Sequence, residues 1–386
     1  MKRIAMLLSN PFRPDTRVLK EANSLAEYGY SVAILAWDRQ SEFPLRETLP
    51  SGVRIIRIQT VPSSYGIGAA QLSHLPRFWK ATLPQLNQFQ PDLIHCHDFD
   101  TLPAGLLWGR LHRKPVVYDA HEYYADLCKP RLHGWSGNLL YRFIRRAELI
   151  GAGFASAVVT VDHNLARIYQ ARNPHVLVVG HYPSLSLVSS PAPVFSHPEI
   201  NLLYIGRLSQ DRGLHLYLDL LQALLDKGIP ARLHLAGVFT PESEKQIVDQ
   251  RAIDLGNTLV FHGWVDYHRV PELLQNADIG LVVLSPEPRY VASLPVKLFE
   301  YMAAGLPVIA SDFPMIREVV AKANCGALVD PQDALPSLVE TIQTWWQNPS
   351  TPQSLGENGR KAILEKYNWE HLSLQLSQLY QGLSKL

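Results

Sequence analysis

Glu300 lies in the stretch Ser293-Leu-Pro-Val-Lys-Leu-Phe-Glu-Tyr-Met-Ala-Ala-Gly-Leu-Pro-Val-Ile-Ala-Ser-Asp312, whose residue types predict loop, helix, tight turn and strand in that order. Ser293 and Pro295 are helix start signals, and Gly305-Leu-Pro307 closes the helix before a strand over Val308 to Ala310. A helix start offers free N–H groups and a positive dipole end to a phosphate. A carboxylate accepts hydrogen bonds through two oxygens, so Glu300 in the second turn can hold both hydroxyls of a ribose while a diphosphate sits at the helix start. Leu294, Pro295 and Lys297 join Glu300 as nucleotide-binding candidates. The competing reading is a surface Glu300 paired with Lys297, worth about 0.2–0.5 kcal/mol.

A second segment, Leu202-Leu-Tyr-Ile-Gly-Arg-Leu-Ser-Gln-Asp-Arg-Gly-Leu214, ends a strand at Gly206 and puts two guanidiniums in one loop. Gly206 lets the backbone approach a ligand, and Arg207 and Arg212 can neutralise charge developing on a departing diphosphate. Solvated loop arginines are the alternative. Gly237 and Val265, at other strand ends, are candidate backbone contacts to the nucleotide, while Trp264 reads equally as core. Lys114-Pro-Val-Val-Tyr-Asp-Ala-His-Glu-Tyr123 sets Asp119, His121 and Glu122 just beyond a strand, where α/β domains place ligands, and His121 is the best active-site histidine.

His95-Cys-His-Asp-Phe-Asp-Thr101 offers a His/Cys/His cluster and an Asp-x-Asp pair. Alternation puts His95 and His97 on one face of a strand end, but no second ligand group with zinc spacing stands elsewhere in the sequence, so no metal is expected. His97 and Asp98 read better as acceptor-side residues. In Asn10-Pro-Phe-Arg-Pro-Asp-Thr-Arg-Val18, Arg13 and Asp15 are acceptor-side candidates, Asp15 equally an N-cap and Arg17 a solvated or paired residue.

The elements that must carry these residues form two alternating series. The first has strands over Arg3 to Leu8, Ser31 to Ala36, Val53 to Gln59, Asp92 to His95, Val116 to Asp119 and Ala157 to Val161, with a helix over Asp15 to Tyr28. A Pro- and Ser-rich stretch, His181 to Pro198, reads as a linker. Strands over Asn201 to Ile205, Arg232 to Ala236, Leu259 to His262, Ile279 to Leu284 and Val308 to Ala310 follow, with helices over Leu214 to Lys227 and Glu242 to Leu255. Leu372, Leu376, Leu379 and Leu383 keep helical spacing over Trp369 to Leu383.

The length of 386 residues predicts two domains, and 47% apolar with 18% charged residues is ordinary for a soluble protein with no membrane span. Cys96, Cys128 and Cys325 are few and scattered, which points to a reducing cytoplasm rather than a disulfide framework. The net charge of +1 hides an asymmetry: residues 1–185 hold 21 Lys and Arg against 14 Asp and Glu, the remainder 15 against 21. The basic first half suits an anionic acceptor, a phospholipid surface or the acidic second half, and suits nucleic acid least. Leu75-Pro-Arg-Phe-Trp-Lys80 and Leu139-Leu-Tyr-Arg-Phe-Ile-Arg-Arg146 mix aromatic and basic residues, reading either as membrane-touching segments or as amphipathic helices packed on their own sheet.

Lys297-Leu-Phe-Glu-Tyr-Met-Ala-Ala-Gly-Leu-Pro-Val-Ile-Ala-Ser311 closely resembles the nucleotide-sugar motif of retaining glycosyltransferase family 4, commonly Glu-x7-Glu. Glu300 matches the second Glu, which the resemblance assigns to the donor ribose; the first falls on Ala292, so the sugar-side carboxylate is absent. Arg207 matches a diphosphate-binding Arg of the family, and Arg212 stands where a Lys is usual, a planar fork for a point charge. The resemblance covers nearly the whole chain and implies the GT-B fold: two doubly wound Rossmann-like α/β domains facing each other across a cleft, with the last helix crossing back. The implied division is 1–183 acceptor side, 184–200 linker, 201–369 nucleotide-sugar binding, and 370–386 returning to the first domain.

It further implies a retaining, metal-independent transfer of sugar from a nucleoside diphosphate to a hydroxyl acceptor, lipid-linked or not, without cofactor. The protein would be cytoplasmic, or peripheral on the membrane's inner face. His121 would lie beside the sugar, orienting it while the leaving phosphate helps deprotonate the acceptor. A sugar-nucleotide epimerase of the same fold and a noncatalytic nucleotide-sugar binding protein are the competing readings.

Overall fold

The computed structural model describes residues 1–13, 15–63, 73–129, 132–188, 198–266 and 269–383. The chain forms two compact units, one of Met1–His181 with the C-terminal stretch from Leu372, the other of Tyr182–His371.

The first unit is built on β1 (Arg3–Leu8), β2 (Ser31–Trp37), β3 (Arg46–Thr48), β4 (Arg54–Ile58), β5 (Leu93–His97), β6 (Val116–Ala120), β7 (Ala157–Thr160) and β8 (Val176–Val178). These run in the order β3-β4-β2-β1-β5-β6-β7-β8, parallel except for the antiparallel β3 edge. Helices on both faces bury the sheet from two sides, which is why β1 and β2 read as continuous apolar runs rather than alternating ones. The register pairs His97 with Asp119 across β5 and β6. Strand order reverses beside β1, the position where parallel sheets open a crevice at their carboxyl ends.

That end of the sheet receives the helix Thr16–Glu27, started by Asp15, whose carboxylate accepts from the Val18 amide at 3.2 Å. The same sheet is covered by the C-terminal helix, Trp369–Leu383. Its Tyr380 is fully buried, with the hydroxyl hydrogen-bonded to His95 Nδ1, and Ser373 lies 3.4 Å from the Tyr28 hydroxyl.

The second unit holds β9 (Ile200–Ile205), β10 (Ala231–Ala236), β11 (Leu259–Gly263), β12 (Ile279–Val282), β13 (Val308–Ser311) and β14 (Gly326–Val329), all parallel in the order β11-β10-β9-β12-β13-β14. Strand order reverses here at β9 and β12. Both units are thus Rossmann-like α/β domains. No helix among the described residues is long and apolar enough to cross a membrane.

The linker expected over 184–200 is corrected at both ends. Leu187 and Val188 are buried in the core of the second unit, Tyr182 packs edge-on against Phe299 and Tyr367, and Ile200 already belongs to β9. Residues 189–197, including Pro191 and Pro193, lie outside the described residues. Three strands escaped the sequence reading, β3, β8 and β14. Each spans only three or four residues at or near a sheet edge, too short to show a period.

Candidate functional site

In the first unit, the carboxyl ends of β5 and β6 and the helix after β1 bring six ionisable side chains together. Arg17 grips Asp119 with Nη2 at 2.8 Å and Nε at 3.2 Å, donates Nη1 to the Val179 carbonyl at 2.6 Å, and lies 3.1 Å from Glu21. It is buried and paired, which corrects the solvated alternative. Asp119 Oδ2 lies 3.2 Å from His121 Nε2, 3.4 Å from His95 Nε2 and 3.3 Å from His97 Nδ1. His97 Nδ1 is also 3.1 Å from His121 Nε2.

His121 is held from its other side by Asp98, whose Oδ1 accepts the His121 backbone amide at 3.3 Å and whose Oδ2 lies 3.8 Å from His121 Nδ1. Asp98 itself adopts a left-handed backbone with φ of 61°. Burial opposes a charged imidazole, but Asp98 and Asp119 outweigh it and hold His121 up at about 9. Burial would raise Asp119, yet Arg17 and His121 keep it well below the usual carboxylate range. Burial and the facing Asp119 push Glu21 up to about 8, while burial and His95 press His97 down to about 3. At neutral pH the group therefore holds charged Arg17, Asp119 and His121 with neutral Glu21, His95 and His97. A charged His121 donates hydrogen bonds and carries positive charge; it does not accept a proton.

His97 is fully buried, so it supports His121 rather than meeting an acceptor, a correction to its expected place. Asp98 keeps 30% of its side chain exposed. Arg13 is exposed and stacks over Phe43, and Asp15 caps its helix while accepting from the Asn10 amide. Glu21, His95, His97 and Asp119 bring ligand atoms within 4.8 Å of one another. Arg17 already bonds Asp119 and contacts Glu21, and its fixed charge repels a second cation, so the cluster fits an internal guanidinium better than a metal ion.

In the second unit, Gly206 ends β9 with φ of 141° and Gly237 ends β10 with φ of 147°. A Cβ on Gly206 would lie 3.0 Å from Lys297 Nζ, and one on Gly237 would lie 1.7 Å from the Gly206 carbonyl oxygen. The Gly237 amide donates to the Gly263 carbonyl at 2.7 Å. That amide is therefore engaged within the sheet, and the glycine is required by the close approach of Gly206.

The helix Val296–Ala304 starts at Pro295 and carries Lys297 and Glu300. Lys297 is not the surface partner of Glu300: its ammonium is buried 3.6 Å from the centroid of the Tyr204 ring and has no hydrogen-bond partner among the described residues. Burial, reinforced by Arg212 and opposed by Glu300, pushes it well below the usual lysine range. Arg212 donates Nε to the Tyr290 hydroxyl at 3.2 Å, which in turn donates to Asp211 at 2.5 Å. Arg289 also bonds Asp211, at 2.7 Å, so the loop is pinned by the segment that follows β12.

Arg207 is exposed, with its carbonyl accepting from Tyr204 at 2.9 Å. Leu294 packs partly against the core; Val265 is half-buried and Trp264 is 65% exposed rather than core. Thus Gly206, Arg212, Lys297 and Glu300 gather at the end of β9 with Tyr204. The sequence reading missed Glu21, Tyr204, Tyr290 and Tyr380. An i,i+4 spacing to Arg17 could have found Glu21; the tyrosines gave no local signal.

The matching family models are Glycosyltransferase Family 4 over residues 15–179 and Glycosyl transferases group 1 over residues 190–362. Glycogen synthase of Mycobacterium tuberculosis is 22% identical over 385 residues, covering 93% of this chain and 88% of the relative. Among solved structures, sucrose-phosphate synthase from Thermosynechococcus elongatus superposes with a TM-score of 0.76 at 23% identity, covering 99% of each chain. Anabaena HepE in complex with UDP gives 0.70 at 19%, covering 99% of this chain and 100% of the other. Two matched family models that together span most of the sequence, on two Rossmann-like domains of GT-B type, place this enzyme in the group 1, family 4 glycosyltransferases.

Proposed function

We propose that the chain transfers a sugar from a nucleoside diphosphate to an acceptor hydroxyl with retention of anomeric configuration and without a metal. Lys297 carries this reading: a buried ammonium with no hydrogen-bond partner among the described residues, beside Gly206 and Arg212, is costly unless an anion completes it. A diphosphate supplies that anion, held by Lys297, Arg212 and Arg207, with the ribose hydroxyls on Glu300. This arrangement replaces the ammonium lost where Arg212 stands for the family's usual Lys.

In the first unit, charged His121 serves the transferred sugar and its acceptor as a hydrogen-bond donor, and the departing phosphate takes the acceptor proton. Asp98, Asp15 and Arg13 are the acceptor-side groups. The relative bound to UDP supports a nucleotide donor.

A thermal-shift panel of nucleoside diphosphates and their sugars tests the donor site, with Arg207→Ala and Glu300→Ala as variants. Both should lose most of the ligand-induced shift; undiminished shifts in both sink the assignment. Turnover of the recognised donor should then depend on an added acceptor, and the product anomer should match the donor. Acceptor-independent conversion of the donor points to an epimerase instead.

A further inference from the structure

The helix Gly134–Phe154 buries Gly137, Ile144, Glu148, Gly151 and Ala152. At 3.6 residues per turn, Trp135, Leu139, Phe143, Ile150 and Phe154 fall within about 100° of arc on the opposite side. They are 82%, 62%, 68%, 50% and 68% exposed. The usual amphipathic order is thus reversed on the outer face, which should be polar. Isolated exposed apolar residues are ordinary, but a stripe of five, three of them aromatic, marks an interaction surface.

The stripe continues onto the neighbouring helix Leu102–His112. Leu107, 51% exposed, and Phe154 line one cavity of about 460 Å³ together with Arg110, Arg113 and Lys114. Leu111, 70% exposed, lies one turn further along.

Charge selects the occupant. Arg146 falls inside the same arc and Arg142 about 20° beyond its edge; both are exposed, and neither takes part in an ion pair among the described residues. The only acid on this helix, Glu148, is turned inward, where it accepts from Tyr118, Tyr169 and the Tyr124 and Ala125 amides. The helix Leu102–His112 has no acid at all. A face that combines Trp, Phe and Leu with arginines at the same level, and no exposed carboxylate on either helix, matches the two layers of an anionic bilayer surface: acyl chains below, phosphates above.

We propose that this face of the first unit docks on an anionic lipid bilayer, with Trp135, Leu139 and Phe143 entering the acyl boundary and Arg142 and Arg146 meeting lipid phosphates. The proposal does not rest on the donor-site assignments. Membrane attachment would hold the enzyme in the plane from which a lipid-borne hydroxyl could be presented.

Vesicle co-sedimentation of the full chain tests it. The protein should bind mixed phosphatidylcholine and phosphatidylglycerol vesicles, and bind pure phosphatidylcholine far more weakly. The triple variant Trp135→Ser/Leu139→Ser/Phe143→Ser should lower the bound fraction about tenfold or more. Arg142→Gln/Arg146→Gln should do the same at low ionic strength and flatten the salt dependence. All five side chains are exposed, so the melting temperature should hold; if the triple variant melts early, single Trp135→Ser carries the test. Failure of the wild type to bind mixed vesicles, or equal binding by the apolar variants, overturns the proposal. So does a concentration-dependent dimer in sedimentation velocity that the triple variant abolishes, because the stripe would then belong to a second copy of the chain.

Discussion

Asp119 Oδ2 lies 3.2 Å from His121 Nε2 while Arg17 grips the same carboxylate from 2.8 Å, so one buried anion serves two cations. The anion keeps His121 charged, and Asp98 adds to the effect from the exposed side. Asp119→Asn should therefore lower the His121 midpoint from about 9 by at least a unit in a nitrogen-detected NMR titration. It should also destabilise the fold by about 3–5 kcal/mol, because Arg17 is left buried without its partner. The conservative variant Asp98→Asn should lower the midpoint too, but with little loss of stability, since Asp98 is partly solvated. An unmoved midpoint in both would show that His121 is not held by these carboxylates.

Stability should fall as pH rises from about 7.5 to 9. His121 moves up from 6.5 to about 9 on folding and Glu21 from 4.5 to about 8, so the folded chain binds more protons than the unfolded chain in this window. Stability then decreases with pH, and the contribution of His121 is fully present below its unfolded value and gone above its folded one. His95, His97, His181, His234 and His262, all lowered on folding, act with the opposite sign through about pH 6.5 and fade about a unit above it, so the decline is read above about pH 7.5. Denaturant melts of wild type and Glu21→Gln across this range check the sign. The variant should show the shallower decline; a decline equal to wild type would remove Glu21 from the argument.

Local sequence revealed strand ends well and burial poorly. Gly206, His121 and Glu300 were legible as positions, because each follows a strand or lies near a helix start with its own punctuation. Lys297 was legible as a position but not as a state: nothing in Pro-Val-Lys-Leu tells that Tyr204, more than ninety residues earlier, will roof its ammonium. The reason Gly237 must be glycine was hidden in the same way. Its neighbour Gly206 is adjacent only because β9 and β10 pair in register through Ala236 and Ile205. Tyr380 against His95 needs the last helix to return to the first sheet, a contact across 285 positions that no window can hold.

Lys297→Met should raise stability and weaken ligand binding together. The variant removes an ammonium that is buried without a hydrogen bond among the described residues and keeps much of the apolar stem against Tyr204. The melting temperature of the free protein should rise or hold, while the shift induced by a nucleoside diphosphate should shrink. Because burial lowers the Lys297 pKa, wild type should also take up protons as the anion binds, and more so as pH rises. Calorimetry in buffers of different ionisation enthalpy reads that uptake directly, and Lys297→Met should abolish the part due to this residue. A lower melting temperature with an unchanged ligand shift would assign Lys297 to the core instead.

Gly237→Ala and Gly228→Ala separate two costs of a side chain at positive φ. Gly228, at 71°, has no atom within 4 Å of a new Cβ, so its variant should lose only the backbone strain of about 1–2 kcal/mol. Gly237, at 147°, would set the Cβ 1.7 Å from the Gly206 carbonyl oxygen, a distance that forces β9 and β10 apart at their carboxyl ends. The Gly237 variant should therefore be the less stable of the two by denaturant melt. Because Gly206 faces Lys297, it should also bind nucleoside diphosphate more weakly, whereas the Gly228 variant should bind as wild type does. If Gly237→Ala matched Gly228→Ala in both measurements, the two strand ends would have room to part, and the close approach of Gly206 to Gly237 would not be what shapes the donor site.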